Sequence, residues 1–261
     1  RFRPETGPWP FFYPYAGGER WGIPRLGEDF AIAPGNRDYV RALYAGEVRQ
    51  IDASVGALVS LLDGLGLREH TYVCFSSDHG EEHWDHGEWG HGQSVHNELV
   101  RVPLIFAGPG IAPATFTEPV SGLHLMPTFA GLLDAPADPA WRGADLAPAL
   151  RGETSAPAGR PVFAQGTSNK AWPHPYRMVL KEDWKLIEEM GANTFSLYNL
   201  RDDPDEQRNV IADEPERAAE LRALLENWLD SFDHTFAVDT PADRGGVEPE
   251  LREQLRGMGY L

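Results

Sequence analysis

Fifteen residues, Asp78 to Gly92, constrain this chain more than any other stretch. They read Asp78-His79-Gly80-Glu81-Glu82-His83-Trp84-Asp85-His86-Gly87-Glu88-Trp89-Gly90-His91-Gly92, with five carboxylates and four imidazoles. The apolar run Tyr72-Val73-Cys74-Phe75 comes directly before them, and a further imidazole, His96, follows. Carboxylates and imidazoles at that density are costly to bury unless they pair or hold a cation. The interleaved glycines oppose a long helix. The pattern predicts a buried strand that ends at Ser77 and a divalent-metal site in the turn beyond it. Open α/β sheets place their ligands at that carboxyl edge.

The surrounding patterns agree. Val40, Leu43, Tyr44, Val48, Ile51, Val55, Leu58, Val59 and Leu62 recur at three- and four-residue spacing. That spacing predicts a helix with one apolar stripe, capped by Asn36 and stopped by Gly64 and Gly66. Thr71–Ser77 reads as a strand buried on both faces, as in a parallel sheet, and Val102–Phe106 as a second buried strand. Ser121 and Pro127 mark a short helix carrying Leu125, Met126, Phe129, Leu132 and Leu133. Residues 1–37 are rich in proline, glycine and aromatics and read as irregular coil.

From residue 161 the pattern changes. Pro161–Ala164, Arg177–Leu180, Trp184–Ile187 and Phe195–Leu200 read as short strands, the middle pair forming a hairpin over Lys181-Glu182-Asp183. Asp213 with Glu216 resembles a capping box, opening a helix with Leu221, Leu224, Leu225, Trp228, Leu229 and Phe232 on one face. The Ala-, Pro- and Gly-rich segment 134–160 suggests a division into residues 1–150 and 151–261. The fold class expected is α/β, a mostly parallel sheet flanked by helices, followed by a small α+β subdomain with an antiparallel sheet.

Composition excludes some partners. A formal charge of −17 repels a phosphate backbone, so nucleic acid is not an expected partner. A small anionic substrate stays open, because a bound metal reverses the local sign. No apolar run reaches the roughly 20 residues of a membrane span. The single cysteine, Cys74, lies in an apolar run and reads as a small buried hydrophobe rather than a nucleophile.

Two adjacent ligands, Asp78 and His79, can meet one cation only if the chain bends between them, which Gly80 permits. Two are too few for a closed site. His79-Gly80-Glu81-Glu82-His83 also satisfies H-x-x-E-H, the inverted zinc-protease motif. That motif needs a helix to align its histidines, and the neighbouring glycines set it below the strand-end site.

The order of motifs is specific. A buried strand leads into S-D-H-G-E, then D-H-G, G-H-G and E-x-x-R-V-P-L-I over Glu98–Ile105, closing with Gly108-Pro109-Gly110. This resembles the sulfatase family of the alkaline phosphatase superfamily. Tyr44–Val48 with Ile51-Asp52, Leu125–Thr128, Leu197–Leu200 with Asp203-Pro204, Glu206-Gln207 and Asn209, and the closing Gly259-Tyr260-Leu261 extend the likeness from about residue 38 onward. His124 stands where the family usually has aspartate.

The resemblance implies roles. Asp78 and His79 match a pair of metal ligands, for calcium in most sulfatases and for manganese or zinc in related phosphonate and phosphodiester hydrolases. The imidazole at His79 leans toward a transition metal. His91 matches a lysine or histidine that contacts the substrate's anionic group. Asp85 and His86 match a pair that supports the ligands, and His83, Glu81 and His96 are read as supports or surface residues. The family's nucleophile, a formylglycine made in a C/S-x-P-x-R segment, has no counterpart here. The resemblance therefore implies the C-terminal half of a sulfuric ester hydrolase, inactive alone and acting on a small anionic ester. A phosphonate or phosphate ester hydrolase and a non-catalytic metal-stabilised module are the alternatives. Oligomeric state is not legible.

Overall fold

A computed structural model describes residues 34–166 and 175–231. The coil expected before residue 34, Phe232 and the closing Gly259-Tyr260-Leu261 lie outside them. The chain divides into two compact units, Gln50–Leu229 and the remainder, Arg1–Arg49 with Asp230–Leu261.

The first helix, α1, spans Pro34–Gly64. Asn36 lies inside it rather than capping it, because Pro34, with its φ fixed near the helical value, opens the helix two residues earlier. Its end is as expected. Gly66 takes φ +66°, and the N–H groups of Gly66 and Leu67 donate to Asp63 and Leu62 carbonyls at 3.1 and 2.9 Å, which satisfies the last turn. Much of the apolar stripe is open to solvent, with Val48, Ile51 and Leu58 exposed by 50, 51 and 49%, while Val55, Val59 and Leu62 are half-buried.

Strands β1 (Val73–Ser76) and β4 (Leu104–Ala107) pair antiparallel, Val73 opposite Ala107 and Ser76 opposite Leu104. The parallel pairing and double-sided burial expected here do not occur among the described residues. Four-residue apolar runs fit either sheet type, and these two are only half covered, with Ile105 exposed by 58%. Between them come a two-pair ladder, β2 (Glu82–His83) with β3 (Trp89–Gly90), and the single-turn helix α2 (Asn97–Val100). Phe106 packs on Phe129 of α3 (Leu125–Leu132), with ring centroids 5.8 Å apart. Segment 134–160 includes the short helix α4 (Ala147–Leu150), tied back where the buried Thr128 hydroxyl accepts from Leu146 N–H at 3.0 Å.

Strands β5 (Val162–Gln165), β6 (Tyr176–Lys181), β7 (Trp184–Glu189) and β8 (Thr194–Asn199) form the expected antiparallel sheet in sequence order. Lys181 pairs with Trp184, leaving a two-residue turn at Glu182-Asp183. Helix α5 (Pro215–Asp230) covers one face. Asp213 falls before its first turn, since Pro215 sets the start, so the expected capping box does not form. Val179, Leu186 and Leu197 of the sheet meet Ala218, Leu221 and Leu225 of α5. Leu186, Leu197 and Leu221 are wholly buried, each contributing roughly 1.5–3 kcal/mol.

The sheet's other face is covered too. Met178, Ile187 and Tyr198 pack against Val95 and Val100, so the polar segment rests on the small sheet. Alternation along β7 points Leu186 at α5 and sends Lys185 and Ile187 toward the polar segment.

Candidate metal and anion site

Gly80 turns the chain at the end of β1. Its N–H donates to Leu99 carbonyl at 2.8 Å, and a Cβ there would stand 1.9 Å from the Glu98 carbonyl oxygen. Only glycine allows the Asp78–His79 turn to lie this close to the α2 backbone. Asp78 Oδ1 accepts from His79 N–H at 3.0 Å. That bond first, and the His79 ring second, hold the Asp78 carboxyl below its ordinary range. His79 Nδ1 lies 2.8 Å from Gly80 carbonyl, and Nε2, 3.7 Å from Asp78 Oδ2, carries the lone pair in the neutral tautomer that donates from Nδ1. A carboxylate oxygen and an imidazole lone pair side by side, the ring fixed by a carbonyl at its other nitrogen, fit a divalent cation. The H-x-x-E-H segment is not helical: residues 80 and 81 are extended loop and 82–83 are β2.

The ladder register explains how Glu81 and His91 meet. Glu82 pairs with Gly90 and His83 with Trp89, so the next positions outward, Glu81 and His91, face each other. His91 Nδ1 lies 3.1 Å from Glu81 Oε2. The Glu81 hydrogen bond, opposed by burial and helped by the Glu81 and Asp78 charges, raises the His91 pKa above its ordinary value. The His91 ring stacks on His79 with centroids 4.0 Å apart. The turn therefore holds, beside the candidate metal ligands, an imidazole whose charged form is favoured by Glu81, which suits it to an anion.

Glu82, which sequence reasoning did not single out, organises the loop. It is 1% exposed. Its Oε1 accepts from His86 and Glu88 N–H at 3.0 and 2.8 Å, and its Oε2 from Gln93 Nε2 at 2.8 Å. No sequence pattern separates such an inward carboxylate from its exposed neighbours.

His86 joins the polar segment to the C-terminal sheet. Its Nδ1 meets Glu98 Oε1 at 2.7 Å and its Nε2 meets Glu206 carbonyl at 3.1 Å. The Gln207 amide also lies 3.4 Å from Nε2. Burial pulls the His86 pKa down, but Glu98 and Glu206 outweigh it and the net shift is upward. Glu98 itself is raised, by burial first. His96 stacks on His86 with centroids 3.7 Å apart and planes 7° off parallel. Burial, then the His86 and Lys185 charges, lower its pKa to about 3, so it is neutral. Asp85 holds the turn by accepting from His83 N–H at 2.8 Å. His124 is buried on the short helix before α3, and Cys74 is half-buried with its thiol pKa pushed up by burial, which leaves it a weak nucleophile.

The sequence signature named Sulfatase matches residues 7–135. These residues are sulfatase-family sequence. The chain is similar to a Delta 4,5-hexuronate-2-O-sulfatase of Bacteroides thetaiotaomicron, 33% identical over 193 residues, which covers 69% of this chain and 38% of the relative. Among solved structures, a 2-O GAG sulfatase superposes with a TM-score of 0.67 at 27% identity, covering 75% of this chain and 44% of that one. The phosphonate monoester hydrolase of Agrobacterium radiobacter superposes with a TM-score of 0.61 at 25% identity, over 75% of this chain and 41% of that one. The chain spans 35–38% of the length of the curated relatives it matches. Residues 7–135, the sulfatase-family part, thus belong to a chain whose fold is shared with a phosphonate esterase.

Proposed function

We propose that this chain supplies the metal-holding and anion-contacting part of a sulfuric ester hydrolase. The observation that carries the reading is the stack of His91 on His79, 4.0 Å between centroids, with Glu81 3.1 Å from His91 Nδ1. Asp78 and His79 would hold a divalent ion, calcium in the family's usual pattern and manganese or zinc as alternatives for an imidazole ligand. Such an ion supplies Lewis acidity toward an ester oxygen. His91 keeps one N–H on Glu81 and directs Nε2–H at a sulfuryl oxygen, where its charge offsets the negative charge that develops in the transition state. Asp85 and His86 keep the turn in place.

The nucleophile, a formylglycine in the family's pattern, would come from sequence outside these 261 residues. The same holds for the further strands of a mostly parallel sheet, to which β1 would contribute. Residues 1–150 would then be part of the catalytic α/β domain and 151–261 a subdomain supporting it. The substrate is a small anionic ester. Hydrolysis of an aryl sulfate by the 261 residues alone that survives Asp78→Ala would sink the reading. In a protein that also carries the nucleophile, His91→Ala is expected to lower turnover by about 100- to 1000-fold.

A second reading is a phosphonate or phosphate ester hydrolase, favoured by the likeness to the Agrobacterium radiobacter enzyme and by a nitrogen ligand at His79. Comparing aryl sulfate with aryl phosphonate turnover in that protein separates the two. A metal-stabilised module without activity would turn over neither.

A further inference from the structure

The β2–β3 ladder carries a second set of ring contacts beside the one at His91. Glu82 is sealed beneath the loop, so alternation turns its neighbours Glu81 and His83 to the opposite, outer face. Glu81 meets His91 there. His83 meets its ladder partner Trp89 edge-on, with ring centroids 5.0 Å apart. The Trp89 indole in turn stacks on Trp84, with 4.9 Å between centroids and 29° between planes. Both indoles are half-buried, so each keeps some surface open to solvent.

The turn is built to hold this pair. Trp84 takes φ +67°, a left-handed conformation that crowds a bulky side chain. Its N–H closes the turn on the Glu88 carbonyl at 2.9 Å, while Glu82 accepts from Glu88 N–H at 2.8 Å. Backbone strain of this kind gathers at active sites and ligand clamps. Trp89 and His91 are two residues apart, roughly 7 Å along an extended strand. That separation spans one six-membered ring joined to an ester group held at His91. The electron-rich face of an indole attracts the edge or face of an aryl ring, and equally the C–H face of a pyranose.

We propose that Trp84 and Trp89 form a platform for the alcohol part of the ester. The substrate class is then the sulfate ester of a six-membered ring, pyranose or aryl, rather than of an open chain. The proposal rests on the hydrolase reading in one respect, the placing of the ester group at His91. The two indoles set specificity through binding and take no part in the chemical step.

The test is NMR titration of the 261-residue chain, in Ca2+, with phenyl sulfate, methyl glucoside sulfate and butyl sulfate. Unsulfated phenol and methyl glucoside are titrated beside them. The Trp84 and Trp89 indole N–H signals, assigned from Trp84→Leu and Trp89→Leu, should shift with a ring ester and stay in place with butyl sulfate. A ring ester should bind about three- to tenfold more tightly than butyl sulfate, and the tighter of the two identifies the ring as aryl or pyranose. Trp89→Leu should erase that preference and leave butyl sulfate binding unchanged, and Trp89→Phe should restore most of it. Equal binding of ring and open-chain esters, with the two indole signals unmoved, overturns the platform and leaves the anion contact at His91 standing. Ring binding that is lost in Trp89→Leu but indifferent to the sulfate group supports the platform and overturns the anion contact instead. Binding of none of the esters overturns both.

Discussion

Lys185 and Glu206 form an ion pair at 2.7 Å with both side chains wholly out of solvent. The pair is closed on both sides. Lys185 Nζ also donates to Asn97 Oδ1 at 3.0 Å, and Glu206 Oε2 accepts from Asn97 N–H at 2.6 Å. Burial lowers the Lys185 pKa and Glu206 opposes that shift. Through Asn97 the pair pins α2, and through the Glu206 carbonyl it holds His86.

Removing one partner leaves a buried charge without compensation. Lys185→Met should cost about 3–5 kcal/mol of stability, read as a lowered urea midpoint by tryptophan fluorescence. Adding Glu206→Leu should recover part of the loss, because the orphaned carboxylate goes with it. Recovery stays incomplete, since Asn97 N–H then lacks its acceptor. A double variant no more stable than Lys185→Met would contradict this account.

Glu82 supports the loop from within. Glu82→Ala leaves three donors, His86 N–H, Glu88 N–H and the Gln93 amide, without their acceptor, at about 1–3 kcal/mol for each that stays buried. The loop should open rather than bear that cost. Hydrogen exchange at the His86 and Glu88 amides is expected to accelerate by orders of magnitude, while the β7 amides keep their protection.

The two stacked histidines predict a stability maximum. His86 has a folded-state pKa above its ordinary value, so its contribution is complete below about 6.5 and is lost as pH rises through the folded value. His96 is lowered to about 3. The unfolded chain therefore takes up a proton that the folded one refuses, and stability falls as pH drops from about 6.5 toward 3. The urea midpoint should peak near pH 6.5. His96→Gln should flatten the acid side and His86→Gln the alkaline side, while NMR titration places the two rings on opposite sides of 6.5.

Gly80→Ala tests the close approach to α2. The added methyl meets backbone, not a mobile side chain, so the turn must shift. A loss of about 1–3 kcal/mol is expected, together with weaker binding of calcium or manganese as His79 moves.

Much of this was legible in the sequence. The alternating strands after residue 175, the Gly64–Gly66 helix stop and the α5 apolar face follow from period and turn chemistry, which act locally. The S-D-H-G-E and G-H-G motifs carried the family. Pairing direction was not legible: Val73–Ser76 and Leu104–Ala107 are too short for an apolar pattern to separate parallel from antiparallel. Helix starts moved because Pro34 and Pro215 outrank nearby polar caps. Nor did the sequence separate Glu81 and Glu82, adjacent residues of like charge. One faces His91 and the other is sealed beneath the loop, a difference set by a ladder of only two pairs.

That ladder also limits which changes of length the segment can accept. Residues 84–88 form the turn between the arms, closed by Trp84 N–H on Glu88 carbonyl at 2.9 Å and anchored by Asp85, His86 and Glu88, so its length is fixed too. A single residue inserted between Gly90 and His91 would send the imidazole to the opposite face, with every donor in the chain still present. In homologous sequences, both short arms and the turn between them should therefore keep a constant length.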